Sequence, residues 1–91
     1  NTRRRFIFGC LNNKDYAQMV NSLFERGDEV YFYHYNHKNS CTVEQLQEVC
    51  PIEGKALTED VEIDFNDSVL TIICGSFYMI EELVNRFSIK L

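Results

Sequence analysis

The sequence predicts a three-layer α/β domain, in which helices cover both faces of a mainly parallel sheet. Short apolar runs rich in β-forming residues alternate along the chain with segments whose apolar residues repeat at helical spacing. Strands that alternate with helices are joined by right-handed crossovers, which make neighbouring strands parallel. The chain has 91 residues, so we expect a single domain over residues 1–91 with one continuous core.

The first strand is predicted at residues 5–11, a nearly continuous apolar run that is typical of a strand buried on both faces. After a polar pair of asparagines, the period of the pattern changes. From Tyr16 to Phe24, apolar residues fall at positions i, i+3, i+4, i+7 and i+8, which is one stripe of an amphipathic helix. We expect Gly27 to take the left-handed C′ position that ends this helix.

A second strand, at residues 29–35, is indicated by a short run of β-forming residues before a polar loop. Three tyrosines alternate along it and so share one face of the sheet: Tyr31, Tyr33 and Tyr35. We expect that face to pack in the core or against another domain. His34 and His37 have H-x-x-H spacing, but one lies in the strand and the other in the loop, so they need not converge on a metal.

A short second helix is predicted to begin at Thr42, because Thr42-Val-Glu-Gln45 has the form of a capping box, and to stop at Pro51. Residues 52–67 carry several acidic side chains and one alternating apolar piece, Val61, Ile63 and Phe65. We interpret that piece as a loop or a short strand. Three strands make a thin sheet. A further strand is therefore expected from this segment or from chain on the N-terminal side.

The strongest strand prediction is residues 68–74, which Gly75 and Ser76 join directly to a third helix. Ser76 is well suited to cap that helix. The apolar face of the helix is expected to hold five residues: Phe77, Ile80, Leu83, Val84 and Phe87. The resulting order of strands and helices describes a Rossmann-like sheet.

Composition excludes several classes of function. The net charge of −5 opposes attraction to nucleic acid or to an anionic membrane. No apolar run approaches the length of about 18 residues that spans a bilayer, and no secretion signal is visible, so a cytoplasmic location is expected. The arginines at positions 3 to 5 are interpreted as a solvated leader or interdomain linker.

The cysteines and glycines also bear on chemistry. The four cysteines lack C-x-x-C spacing, and Cys10 and Cys74 end apolar strands, so buried reduced thiols fit better than a disulfide framework or a zinc site. The four glycines are spaced too widely for a phosphate loop or a dinucleotide-binding fingerprint. We therefore predict no metal site and no common ATP-binding loop in this chain.

Three loops are candidates for a ligand site, residues 9–15, 35–40 and 75–77, because ligands of open parallel sheets bind beyond the carboxyl ends of the strands. The first and third loops offer the groups for an anion. Lys14 offers a mobile cation, and Ser76 precedes the N–H groups of a helix start, a combination suited to a carboxylate. Each residue also has an ordinary structural explanation, Ser76 as an N-cap and Lys14 as a solvated residue. The residue pattern alone leaves both interpretations open.

Three segments, in order, resemble folylpolyglutamate synthase, including its bifunctional dihydrofolate synthase form, a relative of the Mur ligases. They are Phe8-Gly-Cys-Leu-Asn-Asn-Lys-Asp15, Cys41-Thr-Val-Glu-Gln-Leu46 and Asp67-Ser-Val-Leu-Thr-Ile-Ile-Cys-Gly-Ser-Phe-Tyr78. The first is similar to the family's strand and loop ending in Lys-Asp, and the second to the helix start after its middle strand. The third is similar to its late strand closing in Gly-Ser, and the match spans nearly the whole chain.

The resemblance implies the C-terminal domain of a ligase of folate metabolism. Family enzymes use MgATP to phosphorylate the γ-carboxylate of a folate, and glutamate then attacks the acyl phosphate to form an amide. The resemblance implies that this domain closes over a central ATPase domain and helps to hold the glutamate. Lys14 matches a lysine that pairs with a carboxylate of the incoming amino acid in the related Mur ligases.

The resemblance also assigns the other site residues. Ser76 matches the serine that donates to the same amino acid, and the Phe77 N–H lies next to it. Asp15 is expected to orient Lys14 or to cap the first helix, and Gly75 is expected to support the site. The resemblance implies no catalytic residue in this chain.

One departure from the family concerns ATP. The family's C-terminal domain opens with an earlier strand, ending in an Asp-Gly-Ala-His-Asn-like motif that serves ATP and catalysis, and that strand is missing here, as is the phosphate loop. We therefore expect ATP and magnesium to bind mainly outside this chain, and the chain alone to be an inactive piece of a larger enzyme. The competing hypothesis is a stand-alone module that binds an anionic metabolite through Lys14 and Ser76, or a partner protein through strand 31–35.

Overall fold

Four parallel strands form the centre of the molecule, and helices cover both faces of the sheet. A computed structural model describes residues 3–90. Along the chain the elements are β1 (Arg4–Gly9), α1 (Tyr16–Leu23), β2 (Glu29–Phe32), α2 (Val43–Val49), β3 (Gly54–Ala56), β4 (Leu70–Gly75) and α3 (Phe77–Phe87). The strand order is β3-β2-β1-β4, and every neighbouring pair is parallel. The predicted α/β class with a mainly parallel sheet is confirmed.

Two cores lie on opposite faces of the sheet, and β1 supplies side chains to both. Phe6 and Phe8 point to the face covered by α1 and α2, whereas Ile7 points to the face covered by α3. All three side chains are buried. Successive residues of a strand alternate between faces, so an uninterrupted apolar run is what a central strand with two covered faces requires. On the α3 side, Met79 and Leu83 complete the core.

The short β3 lies within residues 52–67, one of the two places from which a further strand was expected. It pairs with β2 through residues 54–56 and forms one edge of the sheet. The alternating piece that follows forms no strand, but its Val61 and Ile63 pack against the core on the α3 face. Three residues carry too little pattern for a strand to be predicted.

The helix α1 ends at Leu23, so the prediction that Gly27 ends it is wrong. Phe24 already has extended backbone angles, with φ of −95° and ψ of 145°. Its ring is buried and makes edge-to-face contacts with three other phenylalanines: Phe6, Phe8 and Phe32. Burial of this ring accounts for the early end of the helix. Gly27 does adopt a left-handed φ of +97°, but in the turn that leads into β2.

The second helix forms as predicted. The Gln45 N–H donates to the Thr42 hydroxyl at 3.1 Å, and the Gln45 side-chain oxygen accepts from the Thr42 N–H at 2.9 Å. This reciprocal pair is the capping box that the sequence indicated. The helix ends at Val49, two residues before Pro51.

The start of α3 differs from its predicted apolar face. Ser76 caps the helix, as predicted, and Leu83 is buried. Phe77, however, is 88% exposed, while Met79 is fully buried in its place. The first turn of α3 follows the end of the edge strand β4, so the sheet offers no surface on which the Phe77 ring could pack.

Arg4 and Arg5 belong to β1, so their interpretation as a solvated leader or linker is wrong. The Arg4 guanidinium makes two hydrogen bonds to Asp28, at 3.0 and 2.7 Å. Arg5 is only 7% exposed and donates to Asp67 at 2.7 Å and to the Thr71 hydroxyl at 3.1 Å. These hydrogen bonds connect β1 to segments that lie beside it at the amino ends of the strands.

The cysteines are free thiols, as predicted, but two of them form a contact that the sequence did not indicate. Cys10 and Cys41 are both buried, and their sulfur atoms lie 3.8 Å apart. Cys50 and Cys74 are half-buried. None of the helices in residues 3–90 is long and apolar enough to cross a membrane.

Candidate functional site

The sheet topology brings two distant parts of the sequence to one edge of the molecule. β1 and β4 are neighbours, and Gly9 pairs with Gly75 at their carboxyl ends. The loop that leads to α1 and the turn that leads to α3 therefore begin side by side. This places Lys14 and Ser76 in the same neighbourhood, as the rule for ligand sites in parallel sheets predicts.

The paired glycines allow the two connections to approach closely. Gly75 has a φ of +124°, and a β-carbon on it would overlap the carbonyl oxygen of Gly9. A β-carbon on Gly9 would lie 2.7 Å from the Tyr33 carbonyl oxygen and 2.8 Å from the Met79 sulfur. Gly75 is the residue predicted to support the site, and its lack of a β-carbon permits this close approach of the two backbones.

A cleft of about 340 Å³ lies between the two connections. The β1–α1 loop contributes three lining residues: Cys10, Leu11 and Lys14. The β4–α3 turn contributes four: Gly75, Ser76, Phe77 and Tyr78. Met19 of α1 completes the lining. Four of the five residues assigned to the site from the sequence thus line one cavity, whose volume falls within the range of small-ligand sites.

Charge, rather than volume, sets this cleft apart. A depression of the same volume lies at the opposite end of the sheet, but its lining carries both signs, with Arg3 and Lys55 facing Asp28 and Glu53. In the cleft, the one charged residue of the lining is Lys14. An anion that entered would therefore meet a cation and no opposing carboxylate.

The hydroxyl of Ser76 retains a proton that it can donate. Its oxygen accepts from the Tyr78 N–H at 3.2 Å, which is the N-cap bond of α3. A hydroxyl has one donor and two acceptor positions, so the O–H stays available for a ligand. Phe77 is the first residue of α3, and the first N–H groups of a helix have no partner within it. The helix dipole adds to the preference for negative charge at this point.

The backbone of Lys14 is held while its side chain stays exposed. Its N–H donates to the Leu11 carbonyl at 3.2 Å, and its carbonyl accepts from the Tyr16 N–H at 2.8 Å. Asp15, the fifth predicted site residue, does not line the cleft. It caps α1 by accepting from the Gln18 N–H at 3.3 Å, one of the two roles expected for it. Because the backbone of Lys14 is fixed and its side chain is flexible, its ammonium is suited to a point-charge contact with a carboxylate.

Tyr35 begins one of the three loops that the sequence marked for a ligand site, but the sequence did not assign it to the site. The residue is 1% exposed, and its hydroxyl has no hydrogen-bond partner among residues 3–90. Burial raises the pKa of the Tyr35 phenol, and the nearby Ser76 hydroxyl offsets part of that rise. The signal was present, because Tyr35 follows the end of β2 and so lies at the edge of the sheet where ligands bind.

The rim of the cleft is apolar and exposed. Phe77 is 88% and Tyr78 60% exposed, and Met19 is 36% exposed on the opposite side. The Tyr78 ring packs on His37, with ring centroids 4.8 Å apart. The cleft therefore has a mainly apolar lining that carries one cation, Lys14, and a rim that other apolar surface can cover.

The histidines have separate partners. A ring nitrogen of His34 lies 3.2 Å from the Cys41 carbonyl oxygen, and a ring nitrogen of His37 accepts from the Asn39 N–H at 3.0 Å. Within the described part of the chain, no three side chains of the metal-binding types converge on one point.

The fold and cleft define a small α/β domain with a site suited to an anion. Comparisons of the chain with protein-family models, with curated proteins and with solved structures gave no match. The resemblance to folylpolyglutamate synthase therefore rests on the residues of the sequence.

Proposed function

We propose that this chain is the amino-acid-binding domain of an ATP-dependent ligase similar to folylpolyglutamate synthase. In this proposal, the cleft holds a carboxylate of the incoming glutamate. One observation supports it above the others. Lys14 and Ser76 were assigned to glutamate from two separate motifs, and they line a single cavity in which Lys14 is the one charged side chain of the lining.

The three groups have complementary roles. The Lys14 ammonium supplies the charge, while the Ser76 O–H and the Phe77 N–H supply directed donors for the carboxylate oxygens. Hydrogen bonds to a charged group contribute about 1.5–3 kcal/mol each, whereas an exposed ion pair contributes about 0.2–1 kcal/mol. Ser76 is therefore expected to fix the position of the glutamate, and Lys14 to attract and retain it.

Anchoring the carboxylate leaves the amino group of glutamate as the nucleophile. ATP supplies the phosphoryl group that activates the folate carboxylate in such ligases. Within residues 3–90 the glycines form no phosphate loop, and no three side chains of the metal-binding types converge. The proposal thus assigns to this chain the binding and orientation of glutamate, and assigns activation to a partner ATPase domain.

The test uses the complete polypeptide that the gene encodes. ATP-dependent addition of glutamate to tetrahydrofolate is measured for the wild type, Lys14→Ala and Ser76→Ala, with Lys38→Ala as the matched control. Lys38 is an exposed lysine of a different loop, so its loss changes net charge equally without touching the cleft. Loss of the Ser76 contact should raise the KM for glutamate about tenfold or more, and loss of the Lys14 ion pair about two- to fivefold. Both changes should leave the KM for ATP unchanged.

Two other outcomes have separate meanings. Activity that is indifferent to both cleft variants would keep the ligase assignment and remove the glutamate site. If the polypeptide had no ATPase region and no activity with any folate, the ligase proposal would fail. Saturable binding of glutamate by the chain would then favour the stand-alone binding module.

A further inference from the structure

Two buried thiols from distant parts of the chain face each other at the carboxyl edge of the sheet. Cys10 follows the last residue of β1, and Cys41 lies two residues before α2. Their sulfur atoms are 3.8 Å apart, and the two residues are 2% and 1% exposed. The sulfur atoms of a disulfide lie about 2.05 Å apart, so this pair needs to close by roughly 1.8 Å to form one.

The backbones of the two cysteines are also paired. The Cys41 N–H donates to the Cys10 carbonyl at 2.9 Å, and the neighbouring residues Leu11 and Ser40 form an antiparallel bridge. Cys10 and Cys41 are therefore directly opposite residues of two antiparallel segments. Such residues have α-carbons about 4.5–5.5 Å apart, within the range of about 4.4–6.8 Å that disulfides span. A disulfide can thus form by rotation about side-chain bonds, with the backbone in its present place.

We infer that Cys10 and Cys41 form a redox-active pair, which a small disulfide oxidant such as oxidised glutathione converts reversibly into a disulfide. The Cys10 thiolate attacks one sulfur of the oxidant, which releases one reduced thiol and leaves a mixed disulfide on Cys10. The Cys41 thiolate then attacks the Cys10 sulfur and displaces the second thiol. The protons of the two cysteines pass to the two released thiols, and two electrons pass from the protein to the oxidant. This inference is independent of the proposed ligase function.

The cleft gives the oxidant a route to the pair. Cys10 belongs to the lining of the cleft, whereas Cys41 does not. The mixed disulfide is therefore expected on Cys10, with Cys41 as the thiol that resolves it. Burial raises the pKa of the Cys10 thiol to about 12, and the thiolate is the form that reacts. Oxidation at neutral pH should accordingly be slow, on a scale of minutes to hours.

The disulfide would join two loops that lie beside the cleft. The loop that begins at Cys10 carries Lys14, and the loop that ends at Cys41 carries His37, on which the Tyr78 ring of the rim packs. The bond would connect residues 31 positions apart in the chain. Closing a loop of that length restricts the unfolded chain, so oxidation is expected to stabilise the fold.

The test equilibrates the chain with mixtures of reduced and oxidised glutathione, once under native conditions and once in urea. Products are trapped with acid and identified by mass spectrometry of their peptides. Cys50→Ala/Cys74→Ala isolates the pair, because it removes the two half-buried cysteines that lie outside it. Cys41→Ala removes the resolving thiol. The wild type is measured beside them, so the result does not depend on how well a variant folds.

We expect the folded chain to form the disulfide between Cys10 and Cys41, and dithiothreitol to reverse it. Cys41→Ala should stop at the mixed disulfide of glutathione with Cys10. A bond that stabilises the fold also forms more readily within the fold, so its equilibrium constant should exceed the value in urea by about thirtyfold or more. For the same reason, the oxidised chain should melt about 10 °C higher than the reduced chain.

Three results would overturn the inference. If the folded chain formed no disulfide between Cys10 and Cys41, or joined either of them to Cys50 or Cys74 instead, the pair would be ordinary core packing. An equilibrium constant no larger in the folded chain than in urea would show that the fold does not favour the bond. A lower melting temperature in the oxidised chain would show that the bond strains the fold.

Discussion

Gly9 and Gly75 face each other at the carboxyl ends of β1 and β4, so close that a β-carbon on Gly75 would overlap the Gly9 carbonyl oxygen. Each glycine is followed by one wall of the cleft. Gly9 leads into the loop with Lys14, and Gly75 leads into the turn with Ser76. The separation of the two walls is thus set by a contact between backbones, which no side chain at either position would permit.

This contact makes Gly75→Ala more costly than an ordinary substitution of a left-handed glycine. Gly27 is the matched control, since it also has a positive φ but no atom lies within 4 Å of its potential β-carbon. Gly27→Ala should therefore cost about 1–2 kcal/mol, the strain of the left-handed backbone alone. Gly75→Ala adds the overlap, and its free energy of unfolding should fall by at least about 2 kcal/mol more. Urea denaturation of both variants provides the measurement. Equal decreases in the free energy of unfolding would show that β1 and β4 can move apart without loss of stability.

The ion pairs of Arg5 are expected to stabilise the end of the sheet opposite the cleft. Arg5 is 7% exposed and bonded to Asp67, whose side chain is 30% exposed. Arg5→Met should lower the free energy of unfolding by about 1–3 kcal/mol, less than for a fully buried pair because water screens Asp67. Arg3→Met, at an exposed arginine two residues earlier, should change it by less than about 0.5 kcal/mol. Similar stability of the two variants by chemical denaturation would contradict the view that Arg5 is structural.

The buried thiol of Cys10 predicts a loss of stability in alkali. Burial, reinforced by Cys41, raises the pKa of Cys10 to about 12. A group whose folded pKa is raised contributes stability that is present below its unfolded pKa, about 8.5 for cysteine, and is lost as the pH rises toward the folded value. The free energy of unfolding should therefore decline between about pH 9 and 12. The decline should be smaller in Cys10→Ala than in Cys50→Ala. If the free energy of unfolding of the two variants changed with pH in the same way, the Cys10 thiol would not be its cause.

Substitutions in the first turn of α3 test which residues belong to its packed face. Phe77→Ala should change the free energy of unfolding by no more than about 0.5 kcal/mol, because the ring is 88% exposed. Met79→Ala should cost about 2–5 kcal/mol, because that side chain is fully buried on the α3 face of the sheet. Thermal and urea unfolding of the two variants provide the comparison. A larger loss of stability in Phe77→Ala than in Met79→Ala would support the apolar face that the sequence indicated.

The sequence predicted those parts of the fold whose pattern is local and repeated. The apolar run of β1, the capping box of α2 and the junction from β4 to α3 each carry their signal within about a dozen residues. β3 escaped prediction because three residues cannot show a period. The end of α1 was missed because it depends on a cluster of phenylalanine rings from three parts of the chain.

In the candidate site too, some features could be predicted from the sequence, and others depend on contacts between distant parts of the chain. Lys14 and Ser76 could be predicted together, because parallel topology alone places both at the carboxyl edge of the sheet. The same rule places Tyr35 at that edge, but the sequence could not show that its side chain is buried with its hydroxyl unpaired among residues 3–90. Nor did the stripe of apolar residues in α3 reveal that Phe77 lies beyond the sheet. A helical period shows which face of a helix is apolar, but it does not show how much of that face is covered by the sheet.

The most direct test of the account is a titration of the chain with L-glutamate, followed by its backbone amide NMR resonances. We predict saturable shifts centred on Lys14 and on residues 75–78, with binding weakened about two- to fivefold in Lys14→Ala and unchanged in Lys38→Ala. Shifts confined to other parts of the chain, or equal binding by the two lysine variants, would contradict the assignment of a carboxylate site between Lys14 and Ser76.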